Sequence, residues 1–301
     1  MTTQATASAS LQEFYDVFPV RRRRIRSPFL FTTCMAIGGL FLIVGLFGQW
    51  LAPQDPNHLS LVNRLHPPGW ESGGSWDNIL GTDELGRDTL SRLTYGTRTS
   101  LLTVVLTIPL AMVIGSTLGL AAGWFGGWTS RVLMACVDIQ LALPGVLLAV
   151  MLASIFGPSF RNVVVVLVVF FWAGFARLVR GEATSVAARD FITAARTIGA
   201  SNRRIMFRHI LPNVANPIII LATLNVANVI LAETALSFLG VGVPQDTISW
   251  GSMISQGRNL LSQAWWLVTI PGLAIISVSL VGNLFGDWLR DALDPQLRNT
   301  R

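Results

Sequence analysis

Apolar residues in this chain come in long unbroken blocks rather than at the two-residue or 3.6-residue spacing of a soluble fold. Residues 29–52 and 99–130 carry no charge, 132–160 carry only Asp138, 162–176 none, 211–238 only Glu233, and 259–286 none. About 20 apolar residues cross the hydrocarbon core of a bilayer. The pattern therefore predicts an all-α integral membrane protein, a helical bundle of six transmembrane helices forming one domain over 29–290. A polar tail at 1–28 precedes it and a short one at 291–301 ends the chain. The polar interruptions are unequal. Residues 53–98 form a long loop whose first half, with Pro53, Pro56, Pro67-Pro68 and Gly73-Gly74, reads as irregular. Its second half, "LGTDELGRDTLSRLTYGTRTSLL", predicts a helix starting near Asp83 to Gly86. There Leu90, Leu93, Thr94, Thr97 and Leu101 make a mild stripe suited to lying on the membrane surface before the second span. A second sizeable loop, 240–265, carries Asp246, Trp250 and Trp265, with Trp266 just beyond. Pro109, Pro144, Pro217 and Pro271 fall inside four spans and predict kinks.

Composition agrees: 51% of residues are hydrophobic and 13% charged, against about 25% charged in soluble domains. The net charge of +6 does not point to nucleic acid, because Lys is absent and the 22 basic residues are all Arg gathered at the ends of the apolar blocks. Arg21 to Arg24 and Arg26 precede the first span, which puts the N-terminus in the cytoplasm by the positive-inside rule. Counting spans from there puts both termini inside. Sixteen Arg then lie on the cytoplasmic side and six outside: Arg64, Arg87, Arg92, Arg98, Arg161 and Arg258. The first apolar block is about twice the length of a signal-peptide core, so it reads as an uncleaved span. Cys34 and Cys136 lie in spans and offer neither a disulfide framework nor a metal spacing.

Among the cytoplasmic segments one stands out, "FITAARTIGASNRRIMFRHILPN" at 191–213. Phe191, Ala194, Ala195 and Ile198 fall at i, i+3, i+4 and i+7, one stripe of a short helix. Gly199 is placed to end it with a left-handed residue, and Ser201 to cap a second helix. That helix would carry Ile205, Met206 and His209 on one side, with Arg203, Arg204 and Arg208 on or near the other. Two short helices bent around a glycine form a knob on the cytoplasmic side. Physics alone leaves two readings: a basic helix held against anionic membrane lipid, or a docking element for a soluble partner.

Ala194-Ala195, Gly199 and Leu211-Pro212 resemble the "EAA" loop of permease subunits in ATP-binding-cassette importers; the usual glutamate of that loop is Thr193 here. "LGTDELGRDTLSRLTYGTRTSLL", "SFLGVGVPQDTISWG" and "GDWLRDALDPQLR" are similar to the C-type permease subunit of dipeptide, oligopeptide and nickel importers, over nearly the whole chain after residue 28. "SQAWWLVTIPGLAI" and the long first external loop resemble the dipeptide branch most. The resemblance implies a type I importer permease fold in the bacterial inner membrane. It makes 181–210 the coupling loop, seated in a groove of an ATPase subunit through Thr193, Ala194, Ala195, Gly199, Ala200, Ile205, His209, Leu211 and Pro212. It implies a second, B-type permease subunit as the other half of a heterodimeric pore, two ATP-binding subunits or domains, and an external substrate-binding protein. Trp70, Asp246 and Trp250 are then candidates for docking that protein. The implied cargo is a di- or oligopeptide moving inward, with nickel, glutathione or heme as alternatives within the class. ATP and Mg would be bound by the partner subunits, leaving no cofactor in this chain.

Two absences bound the chemistry. A phosphate-binding P-loop needs Gly-x4-Gly-Lys-Ser/Thr, and a chain without Lys cannot supply it, so ATP hydrolysis would belong to another polypeptide. Three His, with no His-Glu-x-x-His and no Gly-x-Ser-x-Gly, give no catalytic constellation; His58 and His66 read as solvent-facing in a Pro-rich loop. The acids inside the spans are candidates for the translocation path. Asp138 lies about 10 Å along a helix from Arg131, and Glu233 is similarly close to the outer end of its span. Each could instead be hydrogen-bonded inside the bundle. A proton- or ion-coupled secondary transporter is the rival class; it would show midplane acids and inverted repeats, and neither is evident.

Overall fold

A charge-free run that opens on proline begins a helix readily, because Pro fixes a helical φ and its missing N–H would be unpaired in the first turn anyway. Helix α1 accordingly spans Pro28–Leu51. The computed structural model describes residues 28–244 and 246–293, with side chains from Thr32 onward. The expectations for the tails at 1–27 and 294–301, and Gln245, lie outside the described residues. The chain divides into an N-terminal unit, residues 1–33, and a second unit, 34–301. Of the first only the start of α1 is described; the second holds every other element.

Helix α2, Thr89–Phe125, has 37 residues. It starts at Thr89 rather than near Asp83–Gly86, because Asp88 is the N-cap: its carboxylate accepts from the Ser91 backbone N–H at 2.8 Å and from the Ser91 hydroxyl at 2.7 Å. The anticipated surface-lying helix is absent. The helix continues without interruption into the second span, and Thr94 and Thr97 of its stripe are buried in the protein. At 1.5 Å per residue α2 is about 55 Å long, well beyond the about 30 Å of hydrocarbon. The "irregular" half of the preceding loop is ordered by cross-bonds, among them Ser60 N–H to Leu85 O at 3.1 Å and Thr82 N–H to His66 O at 3.0 Å.

Helices α3 (Gly127–Ala142) and α4 (Gly145–Phe156) make the third span. The expected kink at Pro144 is a break of 95°. Among the described residues five helices are long and apolar enough to cross a membrane, or six with this bent pair taken as one span, and there is no strand. Helix α5 (Phe160–Ala187) pairs with α2 more extensively than any other helices do. The reason is Gly115, Gly119 and Gly123, one residue per turn on a single face. A Cβ on Gly115 would sit 2.3 Å from the Trp172 carbonyl oxygen, and one on Gly119 2.5 Å from that of Ala176. Small residues at four-residue spacing let membrane helices meet backbone to backbone.

Helix α6 is Asp190–Thr197 and α7 is Asn202–Ile205. A π-helical turn over Met206–Ile210 joins α7 to α8, Leu211–Phe238. The second helix of the knob is therefore the inner end of the fifth span. The wide turn precedes Pro212, whose ring would otherwise press on the carbonyl one turn back and which offers no N–H. Pro109, Pro217 and Pro271 lie within helices that remain continuous. Helix α9 (Trp250–Gly257) opens with a capping box between Ser249 and Ser252 and packs on α8, on α2 and on α10, Trp266–Leu293.

Candidate functional site

Local sequence builds the knob. Asp190 sits in the first turn of α6, where a negative charge suits the helix dipole. At the other end, Gly199 has φ +81°. Its N–H donates to Arg196 O at 2.9 Å, and the Ala200 N–H to Ala195 O at 3.1 Å. These two bonds are a Schellman motif, which closes the helix and reverses the chain in one step. Ser201 then caps α7, its hydroxyl accepting from the Arg204 N–H at 3.4 Å. The guanidinium of Arg196 lies 4.2 Å above the ring of Trp124, tying α6 to the inner end of α2.

The predicted stripe on α6 is divided between two faces. Ala195 is only 7% exposed and packs into the bundle with Ile192, so it is no docking residue of the isolated subunit. Ile192 and Ala195, three positions apart, share the buried face, while Phe191, Ala194 and Ile198 share the open one. Phe191, Thr193 and Ala194 face outward, and Ile198 is 85% exposed. Ile205 is buried, Ala200, His209 and Leu211 are half-buried, and Pro212 is exposed. Ser201, Arg203, Arg204, Phe207 and Arg208 line an open groove beside the bend. The knob thus presents exposed apolar side chains with an arginine rim, on a backbone fixed by hydrogen bonds.

At membrane depth the two acids have different surroundings. Glu233 is fully buried, and its Oε1 accepts from the Ser237 hydroxyl at 2.8 Å. It faces the protein interior. Asp138 on α3 forms an ion pair with Arg177 on α5, and both side chains are open, 64% and 54% exposed respectively. Close by, Arg180 Nε donates to the Ser130 hydroxyl at 3.2 Å. Sequence showed Asp138 and Arg177 separately but nothing that joined them across 39 positions.

Of the candidate docking residues in the two long loops, Trp70 and Asp246 are exposed. Trp250 is not: at 1% exposure it is core. Its indole N–H donates to Leu93 O at 3.2 Å and its ring meets Phe41 edge-on at 5.7 Å. It anchors α9 and cannot dock a partner in this structure. Sequence reading also missed a charge cluster that ties the long loop to α9. Asp83 pairs with Arg87 at 2.7 Å and Arg92 at 3.6 Å, and both guanidiniums donate to Gln256 Oε1 at 3.2 Å. The Asp83-x3-Arg87 spacing was the one local signal of it.

Comparison with known proteins places this arrangement. Residues 115–299 match the family described as "Binding-protein-dependent transport system inner membrane component". The chain is 48% identical over 259 residues to the dipeptide transport system permease protein DppC of Escherichia coli (strain K12), covering 86% of each protein. It is 42% identical over 269 residues to the di/tripeptide transport system permease protein DppC of Pseudomonas aeruginosa (strain UCBPP-PA14), covering 88% of this chain and 89% of that one. Among solved structures, an inward-facing form of the MetNI methionine ABC transporter aligns with a TM-score of 0.57 at 19% identity, over 67% of this chain and 96% of that one. That likeness concerns the fold alone, which is the fold of a type I importer permease. A multi-pass helical bundle with these sequence relatives is no ATPase: the chain belongs to the binding-protein-dependent transport system inner membrane component family, as a permease of the dipeptide type.

Proposed function

We propose that this chain is one half of the membrane pore of an ATP-driven importer that carries di- and oligopeptides inward. The other half is a second, B-type permease subunit. Two ATP-binding subunits or domains engage the cytoplasmic knob, hold the ATP and Mg, and hydrolyse the nucleotide. A substrate-binding protein delivers cargo to the outer face, where Trp70 and Asp246 are exposed. Both termini are cytoplasmic, which suits the distribution of arginines.

The observation that carries this reading is the outward face of the knob. Ile198 is left 85% exposed beside exposed Phe191 and Ala194, with Phe207 and the arginines of the groove close in sequence. Exposed apolar side chains rimmed by charge mark a protein-binding surface. The Schellman bend holds that surface in one shape before any partner arrives, which reduces the ordering cost of docking. ATP-driven closure of the ATPase dimer would move the knob, and the bundle would exchange inward-open and outward-open states with it. The relatives named as dipeptide and di/tripeptide permeases support a peptide cargo.

The test is co-expression with the candidate permease and ATPase partners, purification through a tag on this chain, and reconstitution with the binding protein. The expected result is a stoichiometric ATPase band and ATP-dependent accumulation of a labelled dipeptide. A chain that purifies without an ATPase, and that accumulates peptide in response to a proton gradient alone, would instead be a secondary transporter.

A further inference from the structure

The open ion pair at the broken third span lies outside the knob. Asp138 and Arg177 lie about 15 Å along their helices from the ends at Gly127 and Ala187, at 1.5 Å per residue, with Arg131, Arg180 and Glu182 between the pair and those ends. Hydrocarbon is a poor solvent for either charge, and such residues in membrane helices face a protein interior or a water-filled cavity. Their neighbourhood repeats the message. Four residues beyond Asp138, α3 ends and the chain turns by 95° at Leu143-Pro144. Ala142, Leu143 and Pro144 are exposed, and the first turn of α4 has no side-chain cap. Open backbone at membrane depth is tolerated only against protein or water. Beside the break, Gln140 Nε2 donates to the carbonyls of Val169 at 2.6 Å and Phe170 at 3.2 Å, which pins α3 to α5 there. Two features thus make lipid a poor neighbour here: an exposed acid paired with an exposed base, and an open bend whose following helix starts without a side-chain cap.

From this geometry we propose that Asp138 and Arg177 form a transit station for the two termini of a zwitterionic peptide. This rests on the reading of the chain as a peptide importer. A free dipeptide carries an ammonium and a carboxylate, the complements of Asp138 and Arg177. An Arg guanidinium matches a carboxylate with two parallel hydrogen bonds, and the uncapped N–H groups of α4 add donors near by. With no cargo the two side chains neutralise each other, so the path carries no net charge at that level. An arriving peptide exchanges one ion pair for two. The station therefore recognises what every dipeptide shares and ignores its side chains.

The experiment uses the reconstituted complex with its partner subunits and binding protein. In Asp138→Asn/Arg177→Gln both charges go together, so neither is left orphaned. The double variant is expected to assemble, giving the same stoichiometric ATPase band as the unmodified complex, while importing dialanine at least tenfold more slowly. Import at the unmodified rate would overturn the proposal and leave the pair as a clasp between α3 and α5. Should that variant fail to assemble, accessibility decides, with the pair intact and Cys136 replaced by Ser. Ala142→Cys, one turn from Asp138, is expected to react with a charged, water-soluble thiol reagent in nucleotide-free proteoliposomes. Millimolar dialanine should slow the reaction severalfold, and its C-terminal amide should protect less. A cysteine that never reacts, or equal protection by the amide, would sink the station. If the unmodified complex imports no dipeptide, it is the peptide reading that has failed, a result obtained before any variant is made.

Discussion

At Gly199 the backbone holds φ +81°, and a Cβ built there would meet nothing within 4 Å. The obstacle to substitution is the dihedral angle, since there is no crowding. A β-branched residue held in that region costs on the order of 1–3 kcal/mol, whereas Asn enters it far more readily. Gly199→Val should leave insertion into the membrane unchanged and reduce ATP-driven uptake at least tenfold, with Gly199→Asn keeping most of it. Equal tolerance of both would remove the bend from the coupling mechanism. Loss on neutralising Arg203, Arg204 and Arg208, with Gly199→Val tolerated, would favour the lipid-held reading of the knob. Gly199 and Ser201 were legible in the sequence because a positive φ and an N-cap are properties of the local backbone. Trp250 was not, because nothing local says that Phe41 and the Leu93 carbonyl will close over an aromatic side chain placed in an external loop.

Among the elements, α6 shows how a correct helix can be assigned the wrong face. Its existence and its stop were readable, but its rotation depends on the Arg196–Trp124 contact and on Ile192 finding the bundle, both tertiary. Two adjacent alanines now predict opposite behaviour. Ala195→Trp overfills the bundle at a cost of ~1–3 kcal/mol and should lower the melting temperature of the subunit even without partners. Ala194→Trp, on the open face, should leave that temperature unchanged and weaken association with the ATPase. Thermal unfolding and pull-down of the same two variants separate the cases, and a reversed pattern would turn α6 over. The third span was visible as an apolar block and Pro144 as its weak point. The 95° angle was not visible, because a proline reports a lost hydrogen bond without reporting what will cover the opening. The glycines of α2 carried a readable four-residue spacing, and their meaning depended on Trp172 and Ala176 lying opposite.

For the molecule as a whole, the arginine distribution makes a claim about sidedness that can be checked in intact cells. In a background with Cys136 replaced by Ser, an impermeant thiol reagent should label Ser72→Cys and spare Ser201→Cys. The reverse would invert the topology and with it the assignment of the knob to the ATPase side. One element joins those two sides. Helix α2 begins in the outer cap, where Arg92 is held by Asp83 and Gln256, and ends at Trp124 under Arg196 of the knob. A helix about 55 Å long can act as a lever between its two ends. Rocking such a lever by about 10° around its middle carries each end about 5 Å in opposite senses, using that same rise per residue. No residue along it need change rotamer or dihedral. Cargo side and nucleotide side would then be coupled by rigid displacement, and substitutions in the middle of α2 that preserve its stiffness and its fit to α5 should pass unnoticed.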